Sequence, residues 1–319
     1  MTQRTPVLVD CDTGVDDAMA LLYLLRRDDI EIVGITTVFG NNTASRCAHN
    51  TLRVLELVGR QDIPVAVGAE KPLVGEVTYL ATHVHGSDGL GDSGLPMEIS
   101  TSPVEATAVE LIDRLSLEHA GSLRILALAP LTNLAHALTR IADLTDRVVD
   151  LVVMGGAADV AGNQSPAAEA NIIHDPEAAQ QVLTADWPVV LVPLDVTMTE
   201  VVTEEHIARL RAAGNPVADF VAATTEFYFD GYGVDSYGRR SSPCHDALAA
   251  AILTGEVVPS VFPLLGVVVD CTDGPGRGAT ICDTRGRWKG FPDQPDGDCR
   301  IALVTEGTFP DRMVEAFTR

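Results

Sequence analysis

The stretch Pro6–Leu25, PVLVDCDTGVDDAMALLYLL, decides the fold. It begins with a short apolar run, Pro6–Val9, which is typical of a buried strand. Four carboxylates follow within eight residues: Asp10, Asp12, Asp16 and Asp17. Gly14 permits a tight turn between the two pairs, and the apolar residues after it predict a helix. Because four carboxylates at the end of a strand repel one another, we expect water or a hard cation with oxygen ligands to offset their charge.

A simpler interpretation covers part of this cluster. Acidic residues in the first turn of a helix interact favourably with its macrodipole, so Asp16 or Asp17 could be no more than a helix cap. Capping does not account for Asp10 and Asp12, which precede the turn. A bound divalent cation accounts for all four.

Composition restricts the class of protein. The chain has 319 residues, of which 46% are hydrophobic, enough for a sizeable core. Its net charge is −23, and its only lysines are Lys71 and Lys289. Since phosphate backbones bind to basic surfaces, this balance argues against a nucleic-acid partner. It does not restrict a small substrate.

The cysteines and the apolar runs bear on the compartment. Six cysteines are scattered without a CxxC pair, which is typical of reduced thiols in a cytosolic protein. We see no basic-then-apolar leader and no apolar run of about 18 residues, the length of a membrane span. We therefore expect a cytoplasmic protein without a membrane anchor.

Strand and helix patterns alternate at βαβ spacing along most of the chain. This predicts an α/β fold, an open and mostly parallel twisted sheet with helices on both faces. No repeat or Pro/Ser-rich linker divides the sequence, so we expect one domain over residues 1–319. In such sheets ligands bind beyond the carboxyl ends of the strands. Polar residues or turns follow several predicted strands there: Asp10, Asp12, Asn41, the turn after Ala127, the loop after Met154, and Asp195.

Two segments between strands have their own signals. Ser102, Pro103 and Glu105 form a capping-box pattern, which predicts a helix from Ser102 to about Ala120. The polar loop Thr82–Leu95 precedes it, and loops of this length in compact domains are often functional.

The predicted crevice is rich in carboxylates and amides and poor in cations. A phosphate site would need lysines, arginines or a Gly-rich loop, and none is suitably placed. A neutral polyhydroxylated ligand fits better, because its vicinal hydroxyls can both bind a calcium-like ion and donate to acidic side chains. Chemistry at the anomeric carbon of a sugar passes through an oxocarbenium-like state, which negative surroundings stabilise.

Several motifs, in order from residue 6 to about 285, resemble those of the inosine–uridine-preferring nucleoside hydrolase family. They are Asp10-Cys-Asp12-Thr-Gly-Val-Asp16-Asp17-Ala, Thr36-Thr-Val-Phe-Gly-Asn41, His85-Gly-Ser-Asp-Gly-Leu-Gly91, Leu131-Thr-Asn, Val153-Met-Gly-Gly156, Glu169-Ala-Asn171 with Asp175-Pro-Glu, and His245-Asp246. The resemblance implies a Rossmann-like nucleoside hydrolase fold, and calcium-dependent hydrolysis of the N-glycosidic bond of ribonucleosides to free base and ribose. It also implies a homodimer or homotetramer.

The resemblance also implies roles for individual residues. Asp12, Asp17, Asp246 and the backbone carbonyl of Leu128 match the Ca²⁺ ligands, and Asp12 also matches the base that activates the attacking water. His245 matches the residue that protonates or polarises the leaving base. The matches on the substrate side are Asp16, Asn41 and Asn171 for the ribose hydroxyls, and Asn163, Glu169 and Met154 for the sugar and its 5′ end. Asp10 matches a supporting acid outside the ligand set.

Some assignments stay open. The segment Tyr228–Tyr237 should line the nucleobase pocket, where Tyr232 or Phe229 stacks on the base or simply packs. His85 contacts substrate or holds its loop. Ala170 stands where some relatives of the family carry a bulky aromatic residue, which loosens that wall of the sugar pocket. Purine against pyrimidine preference is not decided.

Two other functions are compatible with parts of the sequence. Asp10-x-Asp12 after a strand also resembles the nucleophile motif of haloacid-dehalogenase-type phosphatases, but these need a later lysine, and neither Lys71 nor Lys289 has a convincing context. The other is a calcium-dependent ribose or nucleoside binder without catalysis.

Overall fold

The computed structural model describes residues 4–233 and 237–319. The strands are, in chain order, β1 (Thr5–Cys11), β2 (Ile30–Thr37), β3 (Val65–Val67), β4 (Leu123–Ala127), β5 (Val148–Met154), β6 (Val189–Val192), β7 (Val201–Thr203), β8 (Ser241–Pro243), β9 (Leu264–Leu265), β10 (Val267–Val269), β11 (Thr280–Cys282) and β12 (Cys299–Ile301). The described α-helices are α1 (Val15–Leu25), α2 (Ala44–Leu57), α3 (Thr82–His85), α4 (Ala108–Glu118), α5 (Thr132–Arg140), α6 (Leu144–Arg147), α7 (Ala170–His174), α8 (Pro176–Leu183), α9 (Leu194–Thr197), α10 (Glu204–Ala213), α11 (Pro216–Tyr228), α12 (His245–Leu253) and α13 (Phe309–Thr318).

Eight strands form the central sheet, in the order β3-β2-β1-β4-β5-β6-β12-β9. Neighbouring strands run parallel except at one edge, where the short β9 pairs antiparallel with β12. Two small antiparallel pairs, β7 with β8 and β10 with β11, lie outside it. The predicted open, mostly parallel sheet is confirmed. None of the described helices is long and apolar enough to cross a membrane.

Both faces of the sheet are covered. Val7 and Val9 in β1 pack in one buried cluster, together with residues of α1, α2, α11 and α12. Leu8 points to the other face, into a cluster with residues of α4, α5 and α8. Because successive strand residues alternate between faces, burial on both sides explains why β1 is a continuous apolar run.

One predicted helix start is wrong. Helix α4 begins at Ala108, with Thr107 as its N-cap, and not at Ser102. The hydroxyl of Thr107 accepts a hydrogen bond from the Glu110 amide at 3.3 Å, so the same four-residue capping pattern recurs five residues later. The earlier copy starts no helix, and the amide of Val104 within it donates to the carbonyl of Val65 next to the sheet, at 2.8 Å.

The strand order places the site. From β1 the chain builds outward to β2 and β3, then returns to add β4 on the other side of β1. A crevice forms beyond the carboxyl ends of strands where the direction of winding changes, and ligands bind there in such sheets. Asp10 lies near the end of β1, and Asp12 is the first residue after this strand. The prediction of a single domain stays a prediction.

Candidate active site

Two helix N-termini bring distant acids to the end of β1. Asp16 and Asp17 lie in the first turn of α1, and Asp246 lies in the first turn of α12, which packs against α1. The turn before α1 requires Gly14, because a Cβ there would collide with the side chains of His85 and Asn41. The motif therefore needs glycine for close packing as well as for the turn.

Three buried carboxylates form a group that could hold a metal ion. Each of Asp16, Asp17 and Asp246 offers an oxygen, and these oxygens lie within 4.8 Å of one another. The predicted ligand set has Asp12 in place of Asp16. Asp12 adjoins this group, since its amide donates to Asp17 Oδ1 at 3.2 Å.

Asn41 connects Asp12 to the metal-binding group. Its backbone amide donates to Asp12 Oδ2 at 2.7 Å. Its side-chain amide lies 3.1 Å from Asp12 Oδ1 and 3.2 Å from Asp17 Oδ2. Asp17 Oδ2 also accepts from the amide of Gly14 at 2.8 Å. The two acids are thus oriented by neutral donors, which leave their negative charge in place.

The electrostatics of the group fit a hard cation. Burial, followed by the charge of Asp16, raises the pKa of Asp17 to about 7. The pKa values of Asp12 and Asp246 are raised well above the ordinary range, first by burial and then by neighbouring carboxylates. Oδ1 of Asp16 is buried without a hydrogen-bond partner. An all-oxygen donor set with uncompensated charge suits Ca²⁺ or Mg²⁺ better than a soft metal.

Asp10 lies behind this group. Its Oδ1 accepts hydrogen bonds from Thr36 Oγ1 at 2.6 Å and from Asn133 Nδ2 at 2.7 Å. Complete burial raises its pKa to about 6. These contacts join β1 to β2 and α5. The supporting role of Asp10 stays a prediction.

Another part of the cavity wall is built on Asn171. Its Nδ2 donates to the carbonyl of Leu128 at 3.0 Å and to that of Met154 at 3.2 Å. The predicted carbonyl ligand, Leu128, therefore faces the site at the end of β4, where Asn171 engages it.

Glu169 caps helix α7. Its carboxylate accepts from the amides of Asn171 at 2.9 Å, Gly156 at 3.0 Å and Ile172 at 3.1 Å. Burial nevertheless raises its pKa to about 7. Asn163 accepts from the amide of Ala170 at 3.0 Å, which holds the loop after β5 against α7.

Two buried histidines lie on the remaining side. Val15 donates its amide to His85 Nδ1 at 3.1 Å, so the hydrogen of a neutral His85 ring is on Nε2. Nδ1 of His245 lies 2.8 Å from Thr197 Oγ1. Burial lowers the pKa of both rings, that of His245 to about 4. Both are therefore neutral near pH 7.

These elements enclose a cavity of about 440 Å³. Ten of the predicted site residues line it: Asp16, Asn41, His85, Leu128, Met154, Asn163, Glu169, Asn171, His245 and Asp246. Asp12 and Asp17 are buried beside it, with Asp10 deeper. The side chain of Tyr232 lies outside the part of the chain that the structure describes. Among the described lining residues there is no lysine or arginine.

Several lining residues had not been predicted as substrate contacts. Tyr79 comes from the connection between β3 and α4, and its ring stacks on His174 with centroids 4.3 Å apart. Gln164 and Met198 also line the cavity. Thr197 contacts His245 through its hydroxyl. Its only sequence signal was its position two residues after Asp195, which was predicted to follow a strand. Asp195, another candidate, accepts from the amides of Ala158 and Asp159, which holds their loop.

A doubly wound sheet with an acidic, oxygen-rich cavity at its switch point defines the class, an α/β enzyme acting on a small polar molecule. Residues 7–304 match the family model of the inosine-uridine preferring nucleoside hydrolases. The chain is 40% identical over 263 residues to the pyrimidine-specific ribonucleoside hydrolase RihA of Salmonella enteritidis PT4, which covers 82% of this chain and 84% of that protein.

Two further similar proteins are also named as nucleosidases or nucleoside hydrolases. A probable uridine nucleosidase 2 of Oryza sativa subsp. japonica is 38% identical over 279 residues, covering 87% of this chain and 81% of that protein. The solved structure of the plant nucleoside hydrolase PpNRh1 superposes with a TM-score of 0.90 at 29% identity, covering 98% of this chain and 99% of that one. The chain therefore belongs to the inosine-uridine preferring nucleoside hydrolase family and is a nucleoside N-glycosidase.

Proposed function

We propose that the protein hydrolyses the N-glycosidic bond of ribonucleosides in a calcium-dependent reaction. The observation that carries this proposal is the group of three buried carboxylates, Asp16, Asp17 and Asp246, beside a cavity that two neutral histidines also line. A metal ion would offset the carboxylate charge, and the histidines are placed to meet a leaving base.

The residues proposed to hold calcium are Asp12, Asp17, Asp246 and the carbonyl of Leu128. Their oxygen donors and uncompensated charge support this assignment. When bound, calcium would hold the vicinal ribose hydroxyls and make water more acidic. Asp16 shares the same group and would accept from the ribose, as would Asn41 and Asn171.

The chain's own residues supply the remaining chemistry. Asp12 would take a proton from the attacking water, because its carboxylate is buried and oriented by Asn41. The acidic cavity would stabilise positive charge at the anomeric carbon. His245 would protonate or polarise the base as the bond to the sugar breaks. Asn163, Glu169 and Met154 would line the sugar and its 5′ end.

Uridine is the first substrate to test. The relatives at 38% and 40% identity are named for uridine and for pyrimidine ribonucleosides. Tyr228 and His85, whose ring centroids are 5.6 Å apart, would contact the base side of such a substrate.

We also propose a homodimer or homotetramer, as the family resemblance implies, and a location in the cytoplasm. The six free cysteines support a reducing compartment. Light scattering coupled to gel filtration would measure the assembly.

The test is ribose release from inosine, adenosine, guanosine, uridine and cytidine, with and without a chelator. We expect release from at least one nucleoside, its loss on chelation and its recovery with added Ca²⁺, while 2′-deoxyuridine reacts poorly. Turnover that persists in protein verified to be metal-free would refute the calcium role. Tight nucleoside binding without ribose release over hours would refute hydrolysis, and phosphate release from phosphomonoesters would indicate the phosphatase alternative.

A further inference from the structure

The imidazole of His245 contacts a hydroxyl group to which no role has been given. Thr197 Oγ1 lies 2.8 Å from His245 Nδ1. Thr197 is completely buried and His245 is 4% exposed. Since water does not reach this contact, the donor and the acceptor in it are determined by the protein.

The surroundings of Thr197 decide which group donates. A hydroxyl carries one hydrogen, and a neutral imidazole carries one N–H and one acceptor nitrogen. In the described part of the chain, Thr197 Oγ1 has no polar partner other than His245. If Nδ1–H donated to Thr197, the hydroxyl hydrogen would be buried without an acceptor, which is unfavourable. Donation by Thr197 leaves no such group.

The consequence concerns the other nitrogen of the ring. With Nδ1 as acceptor, that nitrogen carries no hydrogen, so the ring of His245 has its one N–H on Nε2 and is uncharged. We propose that Thr197 is a positioning residue that holds His245 in this tautomer, so that the neutral ring donates a hydrogen bond to the departing base. This inference rests on the proposed function.

The reaction balances without proton transfer through the ring. The C1′–N bond breaks with its electron pair leaving on the base, while the water oxygen bonds to C1′ and its proton passes to Asp12. The base then takes up one proton from solvent, and Asp12 returns one to solvent. His245 Nε2–H stabilises the developing negative charge, as other fixed donors do.

The backbone around Thr197 is well anchored, as a positioning role requires. Thr197 ends the one-turn helix α9, directly after β6. In the same turn, Asp195 accepts from the amides of Ala158 at 2.8 Å and Asp159 at 2.9 Å. Asp159 in turn forms an ion pair with Arg287. The turn that carries the Thr197 hydroxyl is therefore held in place by the sheet and by the loop after β5.

The test compares Thr197→Val, which removes the hydroxyl at nearly constant shape, with Thr197→Ser, which keeps it. Each variant is assayed on uridine and on 4-nitrophenyl riboside, whose leaving group needs no hydrogen bond from the protein. We expect Thr197→Val to lower kcat/KM for uridine about 10- to 100-fold and to change that for the nitrophenyl riboside less than about 3-fold. Thr197→Ser should stay close to wild type on both.

A matched control is Thr224→Val. Thr224 is also buried, but its hydroxyl donates to the carbonyls of Phe220 and Val221 in its own helix. This variant should act on both substrates as the wild type does. Equal losses on the two substrates in Thr197→Val would show a merely structural role, and no loss on either would also overturn the inference.

¹⁵N NMR reports the tautomer of His245 and does not require catalytic turnover. In ¹⁵N-histidine-labelled protein at neutral pH, with the resonances identified by their disappearance in His245→Asn, we expect the hydrogen on Nε2. A hydrogen on Nδ1 would overturn the inference. If the wild type releases no ribose from any nucleoside, the proposed function fails, whereas the NMR result still decides the tautomer.

Discussion

Acidic side chains meet two different environments in this protein. Away from the cavity some of them pair with arginines, each through two hydrogen bonds: Asp150 with Arg124, and Asp293 with Arg300. The arginine lowers the pKa of Asp293 below its ordinary value. In the cavity, burial instead raises the pKa of Asp17 to about 7.

The two environments differ in whether the chain itself supplies a positive charge to the acids. The charge of the arginine-paired acids is already compensated by the chain, so these acids need no ligand and serve structure. The acids at the end of β1 receive hydrogen bonds from amides and hydroxyls but, among the described cavity-lining residues, no positive charge. A proton or a bound cation therefore has to offset their charge, which suits this region to holding an ion.

The largest expected effect is on catalysis. Asp17→Asn removes one charge at constant shape, and it should lower kcat/KM for uridine at least about 10³-fold, because ribose positioning and water activation both depend on the group. The assay is ribose release at saturating Ca²⁺. The matched change Asp150→Asn should keep nearly full activity. Comparable losses of kcat/KM in the two variants would contradict a special role for the cavity acids.

The next effect is stabilisation by the ion. At a Ca²⁺ concentration about 100 times its Kd, a ligand that binds only the folded chain adds about 2.7 kcal/mol of unfolding free energy. We expect a rise in Tm of several degrees by calorimetry. Asp246→Asn should lose this rise and Asp150→Asn should keep it. An equal rise in both would place the ion elsewhere.

The third effect is on how the free energy of unfolding depends on pH when a chelator is present. The pKa of Asp17 is about 7 in the folded chain, against 3.8 as its ordinary value. The folded state therefore binds this proton more tightly, and the resulting stability is present below pH 4 and is lost as pH rises through 7.

The measurement is urea denaturation of wild type and Asp17→Asn from pH 4 to 8. The free energy of unfolding of the wild type should fall relative to the variant as pH rises, and excess Ca²⁺ should remove that fall at pH 8. A difference that does not change with pH would contradict the raised pKa.

The smallest effect is expected for the ion pair of Asp150 with Arg124. Asp150→Asn should lower the free energy of unfolding by about 1 kcal/mol, the scale of a partly exposed ion pair. Asp17→Asn in chelator at pH 8 should not lower it, because the variant loses repulsion. Denaturation curves of the two metal-free variants side by side test this reversal, and a larger stability loss in Asp17→Asn would refute it.

The sequence predicted the parts of the fold that depend on continuous local signals. Strands buried on both faces are apolar runs, and the polar residues after β1 and β5 marked the edge of the sheet where the cavity lies. Asp246 could be added to Asp12 and Asp17 only through family motifs, because its carboxylate comes close to that of Asp17 through the packing of α1 on α12.

Other features were not accessible from local signals. Two capping patterns, at Ser102 and at Thr107, are equivalent in sequence, and only the second begins a helix in the structure. Thr197 is an ordinary residue until the fold brings His245, from a distant segment, to its hydroxyl. The proximity of Asp16 to Asp246 likewise depends on side-chain directions that only tertiary packing determines.

The packing of α1 against α12 also has a consequence for folding kinetics. Asp17 and Asp246 are more than two hundred residues apart, so their repulsion arises only when a long-range contact has formed. An ion bound by both can exist only in the nearly complete fold. Calcium should then slow unfolding while hardly changing the rate of folding, because the transition state lacks its full ligand set. The lifetime of the folded enzyme, more than the speed with which it forms, would depend on the ion.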